Sequence, residues 1–259
     1  MPDFLDTLAR DAKQTVTEGY YKVSDQHKFS PVSLRKAITE NRRNAVITEV
    51  KAASPSRGTI KTNFDPERVA VAMEKGGATG ISVLTEPKHF GGSLSYLTKI
   101  RKATKLPILM KDIIISPIQL EAASRIGADA VLLIEALFER ECCELSLDEM
   151  ISEAHARNLE VLLETHNEDE FQSAIETDAD LVGINNRDLR TLEVDIRVTE
   201  RILKKYDNHE KVVVSESGVM TLSDLLFLRG CGAQAFLIGS AIMMAGNIEE
   251  KVKEFVTAH

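Results

Sequence analysis

The stretch Gly127–Val131, G-A-D-A-V, recurs along this chain and decides its predicted fold. Near-copies begin at positions 77 and 232, as G-A-T-G-I and G-A-Q-A-F, and a degraded copy, D-A-D-L, begins at position 178. The separations are 50, 51 and 54 residues, and each copy leads into an apolar run typical of a buried β-strand. Each interval holds one further apolar run, so the chain repeats two strand–helix units about four times.

Apolar, β-branched runs predict eight strands, at 45–50, 80–84, 106–110, 129–134, 160–163, 181–184, 211–214 and 235–238. Amphipathic stretches of helical length separate them, such as Pro66–Lys75, Pro117–Ile126 and 147–158. Alternating strands and helices indicate a parallel sheet, and four double units give a closed (βα)₈ TIM barrel. A doubly wound open sheet could hold as many strands but would need no regular period. We therefore expect one barrel domain over residues 1–259.

Two helices are predicted before the first strand, at 3–21 and 31–40. Phe4, Leu5, Leu8 and Ala12 recur at helical spacing in the first, and Ser33 is a suitable N-cap for the second. The simplest interpretation of this segment is a packed extension of the barrel. The more specific interpretation, which we adopt, is that residues 1–43 form a helical extension over the catalytic face.

Composition limits the partners of the protein. The chain has 32 basic and 40 acidic residues, a net charge of −8, which argues against nucleic acid because phosphate backbones require a basic surface. No apolar run is long enough to span a bilayer, and the acidic N-terminus is not typical of a signal peptide. The cysteines show no metal-ligand or redox spacing and are interpreted as packing thiols of a reducing compartment. We expect a cytoplasmic protein, a monomer or a weak homodimer.

Polar and charged residues follow nearly every predicted strand, where a barrel of this kind builds its active site. The first strand ends in Glu49 and Lys51, whose side chains share a face because they lie two residues apart. Burying such charges is costly unless they have a function. The first, third, fifth and seventh strands end in the candidate acids and bases Lys51, Lys111, Glu164 and Glu216, and the sixth ends in Asn185 and Arg187.

Serine–glycine pairs follow the last two strands, Ser217–Gly218 after the seventh and Gly239–Ser240 after the eighth. Barrels frequently bind phosphate with these two loops, where glycine permits close backbone approach. Ser54 and Ser56 of the first loop could complete the site, because the first and eighth strands are neighbours in a closed barrel. The pattern predicts a phosphorylated small molecule as the substrate.

The histidines show no pairing at metal-ligand spacing, and we expect neither a metal nor any other cofactor. No dinucleotide-binding fingerprint follows the first strand. His166 lies two residues beyond Glu164 but is interpreted as structural, like the other histidines.

Ordered motifs give the chain a family resemblance. E-V-K-A-A-S-P-S-R-G (49–58), S-V-L-T-E (82–86), L-M-K-D (109–112), V-L-L-E-T-H (161–166), G-I-N-N-R-D-L (183–189), S-E-S-G (215–218) and L-I-G-S (237–240) occur in this order. Together they resemble the indole-3-glycerol-phosphate synthase family of tryptophan biosynthesis. The resemblance implies a cofactor-independent ring closure of 1-(2-carboxyphenylamino)-1-deoxyribulose 5-phosphate, with loss of carbon dioxide and water.

The resemblance also implies roles for individual residues. Lys111 is similar to the family's general acid, Glu164 to the base of the dehydration half, and Lys51 to a lysine that holds or protonates the substrate. Glu49 and Asn185 would orient these groups, supported by Arg187 and Glu216. The remaining implied contacts are a phosphate site at Ser54, Ser217, Gly218, Gly239 and Ser240, and an aryl pocket at Phe90 and Leu132. A lysine suits the acid role if burial or the second lysine lowers its pKa.

The chain departs from the family pattern at several positions. Ile113 stands where the family usually has phenylalanine, which makes the aryl contact smaller. Ala52 and Ala53 follow Lys51 where another basic residue is common, and Ser215 replaces a smaller residue. Two other functions remain open: a barrel aldolase or isomerase with a Schiff base on Lys111 or Lys51, and a catalytically silent barrel that binds phosphorylated ligands.

Overall fold

Eight parallel strands pair in a closed ring in the computed structural model, which describes residues 3–24, 29–51, 53–54, 58–59, 64–207 and 210–259. At 53–54 and 58–59 it describes the backbone alone. The strands are β1 (Ala45–Val50), β2 (Ala53–Ser54), β3 (Gly58–Thr59), β4 (Gly80–Leu84), β5 (Ile108–Lys111), β6 (Ala130–Ile134), β7 (Glu160–Thr165), β8 (Leu181–Asn185), β9 (Val212–Glu216) and β10 (Ala235–Ile238). All but β2 and β3, which pair with each other, belong to the ring.

The helices lie between the strands, as the alternating pattern predicts. They are α1 (Phe4–Thr17), α2 (Leu34–Thr39), α3 (Pro66–Lys75), α4 (Leu94–Ala103), α5 (Pro117–Ile126), α6 (Glu135–Glu139), α7 (Leu147–His155), α8 (Glu168–Ile175), α9 (Arg197–Lys205), α10 (Leu222–Gly230), α11 (Ser240–Met243) and α12 (Ile248–Thr257). The ring closes where β1 pairs with β10 on one side and with β4 on the other. The predicted barrel is confirmed.

The ring strands are apolar over most of their length because both of their faces are buried, and several carry polar or charged residues at their carboxyl ends. In β1, Val46 and Val50 belong to the apolar layer between the sheet and the helices, whereas Ala45 and Ile47 point into the barrel with Leu109 and Leu162. This alternation follows from the two-residue period of a strand. It also directs the side chain of Glu49, two residues after Ile47, into the barrel at its carboxyl end.

The repeated glycines have positive φ values, a backbone conformation that favours glycine. Gly127 is the C-cap of α5 with a φ of 93°. Gly77 and Gly232 lie one residue beyond the caps of α3 and α10, with φ values of 94° and 106°. A residue with a side chain is strained at such positive φ values, so the helix-to-strand connection has kept its glycine.

The two N-terminal helices lie at opposite ends of the barrel. The loop that follows α1 contacts the carboxyl ends of the strands, since the Tyr20 hydroxyl donates to the Thr85 carbonyl at 3.1 Å. In contrast, α2 contacts the amino ends: the Ser33 hydroxyl and the Arg35 amide donate to Glu160, the first residue of β7. The expectation that residues 1–43 as a whole extend over the catalytic face is therefore corrected for α2, which closes the other end.

The described residues contain no helix that is long and apolar enough to cross a membrane. Their three cysteines, Cys142, Cys143 and Cys231, are free and half-buried, and Cys142 and Cys143 pack against the apolar core. All three lie just after helices, where the chain is partly exposed. Burial nonetheless raises the pKa of Cys143 to about 12, so this thiol stays protonated at neutral pH.

Candidate active site

The carboxyl ends of the strands surround a cavity of about 370 Å³. Every predicted site residue except Ser54 lines it: Glu49, Lys51, Phe90, Lys111, Leu132, Glu164, Asn185, Arg187, Glu216, Ser217, Gly218, Gly239 and Ser240. Ser54 lies in β2, where the structure describes the backbone alone, and Ser56 lies outside the described residues. The sequence pattern and the geometry thus place these side chains around one space.

Lys111, the last residue of β5, lies between two buried carboxylates. Its Nζ is 2.9 Å from Glu164 Oε2 on β7 and 2.8 Å from Glu216 Oε2 on β9. With Glu49 on β1, these residues come from alternate strands of the barrel, which is how such a barrel fills one layer of its interior. Both glutamate side chains are almost inaccessible, at 3% and 1% exposure. Lys111 is therefore the centre of a buried ionic cluster.

The charge of Lys111 is stabilised by its neighbours. Burial alone lowers the pKa of a lysine, but the carboxylates of Glu164, Glu216 and Glu49 outweigh it and raise the pKa well above its ordinary value. The condition that burial or the second lysine lowers the lysine pKa is not met at Lys111. Lys111 is therefore held in its protonated form at neutral pH.

The two carboxylates beside Lys111 differ in their environments. Burial raises the pKa of both, but Lys111 and His166 together bring the pKa of Glu164 well below its usual range. For Glu216, burial and the neighbouring charge of Glu164 outweigh Lys111, and its pKa is raised. Gly183 on β8 leaves the space that Glu216 occupies, because a Cβ there would overlap Glu216 Oε1. Glu164 is thus ionised and able to accept a proton.

A second ion pair lies across the cavity at the end of β1. Lys51 Nζ is 2.5 Å from Glu49 Oε2, as expected for two side chains on the same face of a strand. A Cβ at Gly239 would overlap Glu49 Oε2 and lie 2.8 Å from Lys51 Cε. Glycine at the end of β10 is therefore what allows this pair to lie against the neighbouring strand.

The loop after β9 combines polar groups with an unusual backbone. Ser217 and Gly218 have φ values of 62° and 92°, and both face the cavity next to Gly239 and Ser240. The Asn186 side chain fixes this loop from behind by donating to the Ser217 carbonyl and the Ser215 hydroxyl, both at 3.0 Å. Ser215, which departs from the family pattern, is thus part of the buried network that supports the loop.

Apolar side chains form the other wall of the cavity: Phe4, Leu8, Leu84, Phe90, Ile113, Leu132, Ile134, Leu189 and Leu237. Two of them, Phe4 and Leu8, belong to α1. Glu86 holds the Phe90 loop in place, since its carboxylate accepts the backbone N–H groups of Lys88, His89 and Phe90 at 2.7–3.0 Å. The cavity therefore has an ionic side and an apolar side, as required by a substrate with an anionic and an aromatic part.

Two buried groups near the cluster were not predicted as site residues. Asp112 lines the cavity and accepts a hydrogen bond from the Tyr21 hydroxyl at 2.9 Å; burial raises its pKa to about 6. His166, expected to be structural, has its Nε2 3.2 Å from Glu164 Oε1. The two-residue spacing of Glu164 and His166 was the signal that could have identified the second. Among the described residues, no group of three histidine, cysteine or acidic side chains is arranged to hold a metal ion.

Comparison with known proteins gives a consistent result. The family model described as "Indole-3-glycerol phosphate synthase" matches residues 5–255. The indole-3-glycerol phosphate synthase of Acetivibrio thermocellus is 41% identical over 249 residues, covering 96% of this chain and 94% of that protein. The protein of the same name from Methanocaldococcus jannaschii is 42% identical, covering 90% and 86%.

Solved structures with the same fold are more distant in sequence. A thiamine phosphate pyrophosphorylase from Pyrococcus furiosus has a TM-score of 0.61 at 16% identity and covers 86% of this chain and 96% of its own. An N-acetylmannosamine-6-phosphate 2-epimerase from Clostridium perfringens has the same TM-score at 15% identity, covering 84% and 93%. At these identities the likeness concerns the barrel alone.

Proposed function

This chain belongs to the indole-3-glycerol phosphate synthase family, and we propose that the ionic cluster around Lys111 carries out its ring closure. The enzyme is a carboxy-lyase of tryptophan biosynthesis. It converts 1-(2-carboxyphenylamino)-1-deoxyribulose 5-phosphate into indole-3-glycerol phosphate, carbon dioxide and water. The observation that carries the proposal is a protonated lysine between two buried carboxylates, beside an apolar wall.

Ring closure requires an acid at the ketone oxygen. An aromatic ring carbon attacks the ketone, and the oxygen must gain a proton as the new bond forms, which a positioned acid accelerates by about 10²- to 10⁴-fold. Lys111 is the proposed acid, because its neighbours keep it protonated in a buried position. Release of carbon dioxide then restores the aromatic ring, and the hydroxyl group remains to be lost as water.

The dehydration half requires a base as well as an acid. Glu164 is the proposed base: it removes the proton from the carbon between the nitrogen and the hydroxyl-bearing carbon. Lys51 is the proposed acid of this half: it gives the hydroxyl group the proton with which it leaves as water, and the double bond of the indole forms. The lowered pKa of Glu164 keeps it ionised, and its 2.9 Å contact with Lys111 offers a direct path for returning the proton. We assign the support of these steps to Glu49, Asn185, Arg187 and Glu216.

The rest of the substrate is assigned to the other walls. We place the phosphate at Ser217, Gly218, Gly239 and Ser240, with Ser54 contributed by the first loop, because these residues surround the cavity at the ends of β9 and β10. We place the aryl group against Phe90 and Leu132. Ile113 is 5% exposed and lies in the same wall, so an aliphatic side chain takes the place of the family's aromatic contact.

The Schiff-base alternative is weakened by the charge of Lys111. A lysine nucleophile must be neutral, and the pKa of Lys111 is shifted in the opposite direction. Borohydride reduction in the presence of substrate separates the two mechanisms, since a covalent adduct on Lys111 or Lys51 would support the alternative. A catalytically silent barrel that only binds phosphorylated ligands would not need the ionic cluster around Lys111. Burying this cluster costs free energy because its charges lose their contact with water.

We further propose that residues 1–259 form one barrel domain in which α1 covers the catalytic face. Arg140, just after α6, supports this because it pairs at 2.8 Å with Asp3 and Asp6 at the start of α1. We propose that the protein acts in the cytoplasm as a monomer or a weak homodimer, with no nucleic-acid or membrane partner. Sedimentation at micromolar concentration tests the oligomeric state.

The substitution Phe4→Ala is expected to raise KM about three- to tenfold while kcat stays within about twofold, because the lost contact is made equally in the ground and transition states. Phe4 lines the cavity from α1 and packs edge-on against His89. The matched control is Leu222→Ala, an exposed apolar residue of α10 outside the cavity. Unchanged KM in Phe4→Ala would restrict α1 to a structural role.

The proposed reaction is tested directly by incubating the protein with the carboxyphenylamino-deoxyribulose phosphate. We expect indole absorbance and fluorescence to appear with one equivalent each of carbon dioxide and indole-3-glycerol phosphate, and without any added metal or cofactor. A protein that binds this compound but forms no indole product would refute the proposed function and leave the silent barrel.

A further inference from the structure

His166 lies between two carboxylates behind the catalytic cluster. Its Nε2 is 3.2 Å from Glu164 Oε1, and its Nδ1 is 3.2 Å from Glu170 Oε2 in the first turn of α8. Its side chain is only 12% exposed. A histidine in this position links the proposed base on β7 to a fixed point on the following helix.

Glu170 is held firmly enough to serve as that fixed point. It is 5% exposed, and its Oε2 also accepts the backbone N–H of His166 at 2.7 Å. Its Oε1 accepts a hydrogen bond from Asn167, whose own side chain caps α8 through the backbone N–H groups of Asp169 and Glu170. The position of the imidazole ring is therefore set by the start of α8 and not by the catalytic cavity.

His166 does not line the catalytic cavity, although Glu164 does. It lines a second cavity of about 420 Å³ on the outer side of β7, together with Glu139, Asn167, Glu168, Asp169, Val198, Arg201 and Ile202. The ring thus lies next to Glu164 without lining the catalytic cavity. Any effect of His166 on the reaction must act through Glu164.

We propose that His166 is a positioning residue that attracts Glu164 Oε1 as an ion-pair partner without a hydrogen bond, so that Oε2 faces Lys111 and the cavity. The inference rests on the proposed role of Glu164 as the base. An ion pair at one carboxylate oxygen favours the orientation in which the other oxygen faces Lys111, and loss of that orientation is costly because proton transfer requires hydrogen-bond geometry.

The charge of the ring supports this role. Burial alone lowers the pKa of a histidine, but the carboxylates of Glu164 and Glu170 raise the pKa of His166 to about 9. Of the charged groups around the second cavity, Glu139, Glu168 and Asp169 favour the same cationic form, and Arg201 opposes it. A cationic His166 lowers the pKa of Glu164, so that removing the ring should shift the protonation of the base toward higher pH.

The test compares His166→Asn and His166→Gln with the parent enzyme. We expect kcat to fall about tenfold with KM within about twofold, and the acid limb of the kcat–pH profile to move upward by about one unit. His155→Gln is the matched control, because His155 pairs with Asp180 at 2.9 Å on the surface and should leave both profiles unchanged. Glu170→Gln keeps the size of the side chain next to His166 Nδ1 but removes its charge. The titration midpoint of the His166 ring, followed by NMR, should therefore fall.

The outcomes are distinguishable. An unshifted acid limb in both His166 variants, or a His166 ring that is neutral at pH 7 in the parent, would overturn the positioning role. A fall in kcat that matches the loss of folded protein, with the acid limb in place, would also overturn it. If Glu164→Gln dehydrates at the parental rate, the proposed role of Glu164 itself fails. If Glu164→Gln loses its dehydration activity but the acid limb of both His166 variants stays unshifted, only the positioning role of His166 is overturned.

Discussion

Lys111→Met is expected to lower turnover by at least about 10²-fold, the contribution of a positioned general acid. The substitution keeps the length of the side chain and removes the proton that the ketone oxygen needs. Steady-state indole formation measures the effect, and KM should change less than kcat because the lost interaction develops in the transition state. Lys51 stays in place at the end of β1, so the variant tests one lysine of the two.

The same variant should also lose stability, in a pH-dependent way. Without Lys111, Glu164 and Glu216 face each other in a buried site, and breaking such a pairing typically costs about 3–5 kcal/mol. The pKa of Glu216, which burial and Glu164 already raise, would then rise further because Lys111 no longer opposes them. Groups with raised pKa values stabilise the fold fully below the unfolded pKa and lose that contribution as the pH rises. The Tm deficit relative to the parent should therefore be small near pH 4.5 and roughly 10 °C at pH 8.

Lys211→Met provides the matched control for both measurements. Lys211 is a partly buried lysine at the other end of the barrel, where its Nζ donates to the carbonyls of Thr177 and Ala179. Its removal should lower the Tm and leave turnover unchanged. Parental turnover in Lys111→Met would remove Lys111 from the mechanism, whereas a Tm deficit independent of pH would contradict the ionic description of the cluster.

The barrel was predictable because its connections require a particular backbone. The positive φ values at Gly77, Gly127 and Gly232 leave a glycine three residues before β4, β6 and β10, and the spacing of these glycines counts the double units. Strand ends were less predictable. The prediction at 160–163 stops before Glu164, but β7 continues to Thr165 because a polar residue in the barrel interior still pairs in the backbone ladder.

The site was predictable as a set of residues but not as a set of charges. The sequence shows which side chains end each strand, and that was enough to place Lys111 and Glu164 at one cavity. It does not show that two carboxylates lie within 3 Å of Lys111, so the direction of its pKa shift could not be predicted. Amphipathicity likewise shows which face of α2 is buried but not which end of the barrel it covers.

Glu164→Gln is expected to separate the two halves of the reaction. Glutamine keeps the size of the side chain and can still hold Lys111 through its oxygen, but it cannot take up a proton. Ring closure and decarboxylation depend on the acid and should continue, whereas loss of water should slow by at least about 10²-fold. In a single turnover, labelled carbon dioxide should appear at a rate near the parental one, and indole fluorescence should lag far behind it.

The lag is diagnostic because decarboxylation is irreversible and precedes dehydration. An intermediate that has lost carbon dioxide but kept its hydroxyl group must accumulate if Glu164 serves only the second half, and mass spectrometry of the quenched reaction should detect it. Glu135→Gln is the matched control: Glu135 is a buried glutamate just after β6 that accepts from Ser173 outside the cavity. If carbon dioxide and indole slow together in Glu164→Gln, the residue acts before decarboxylation and its assignment to the dehydration half is wrong.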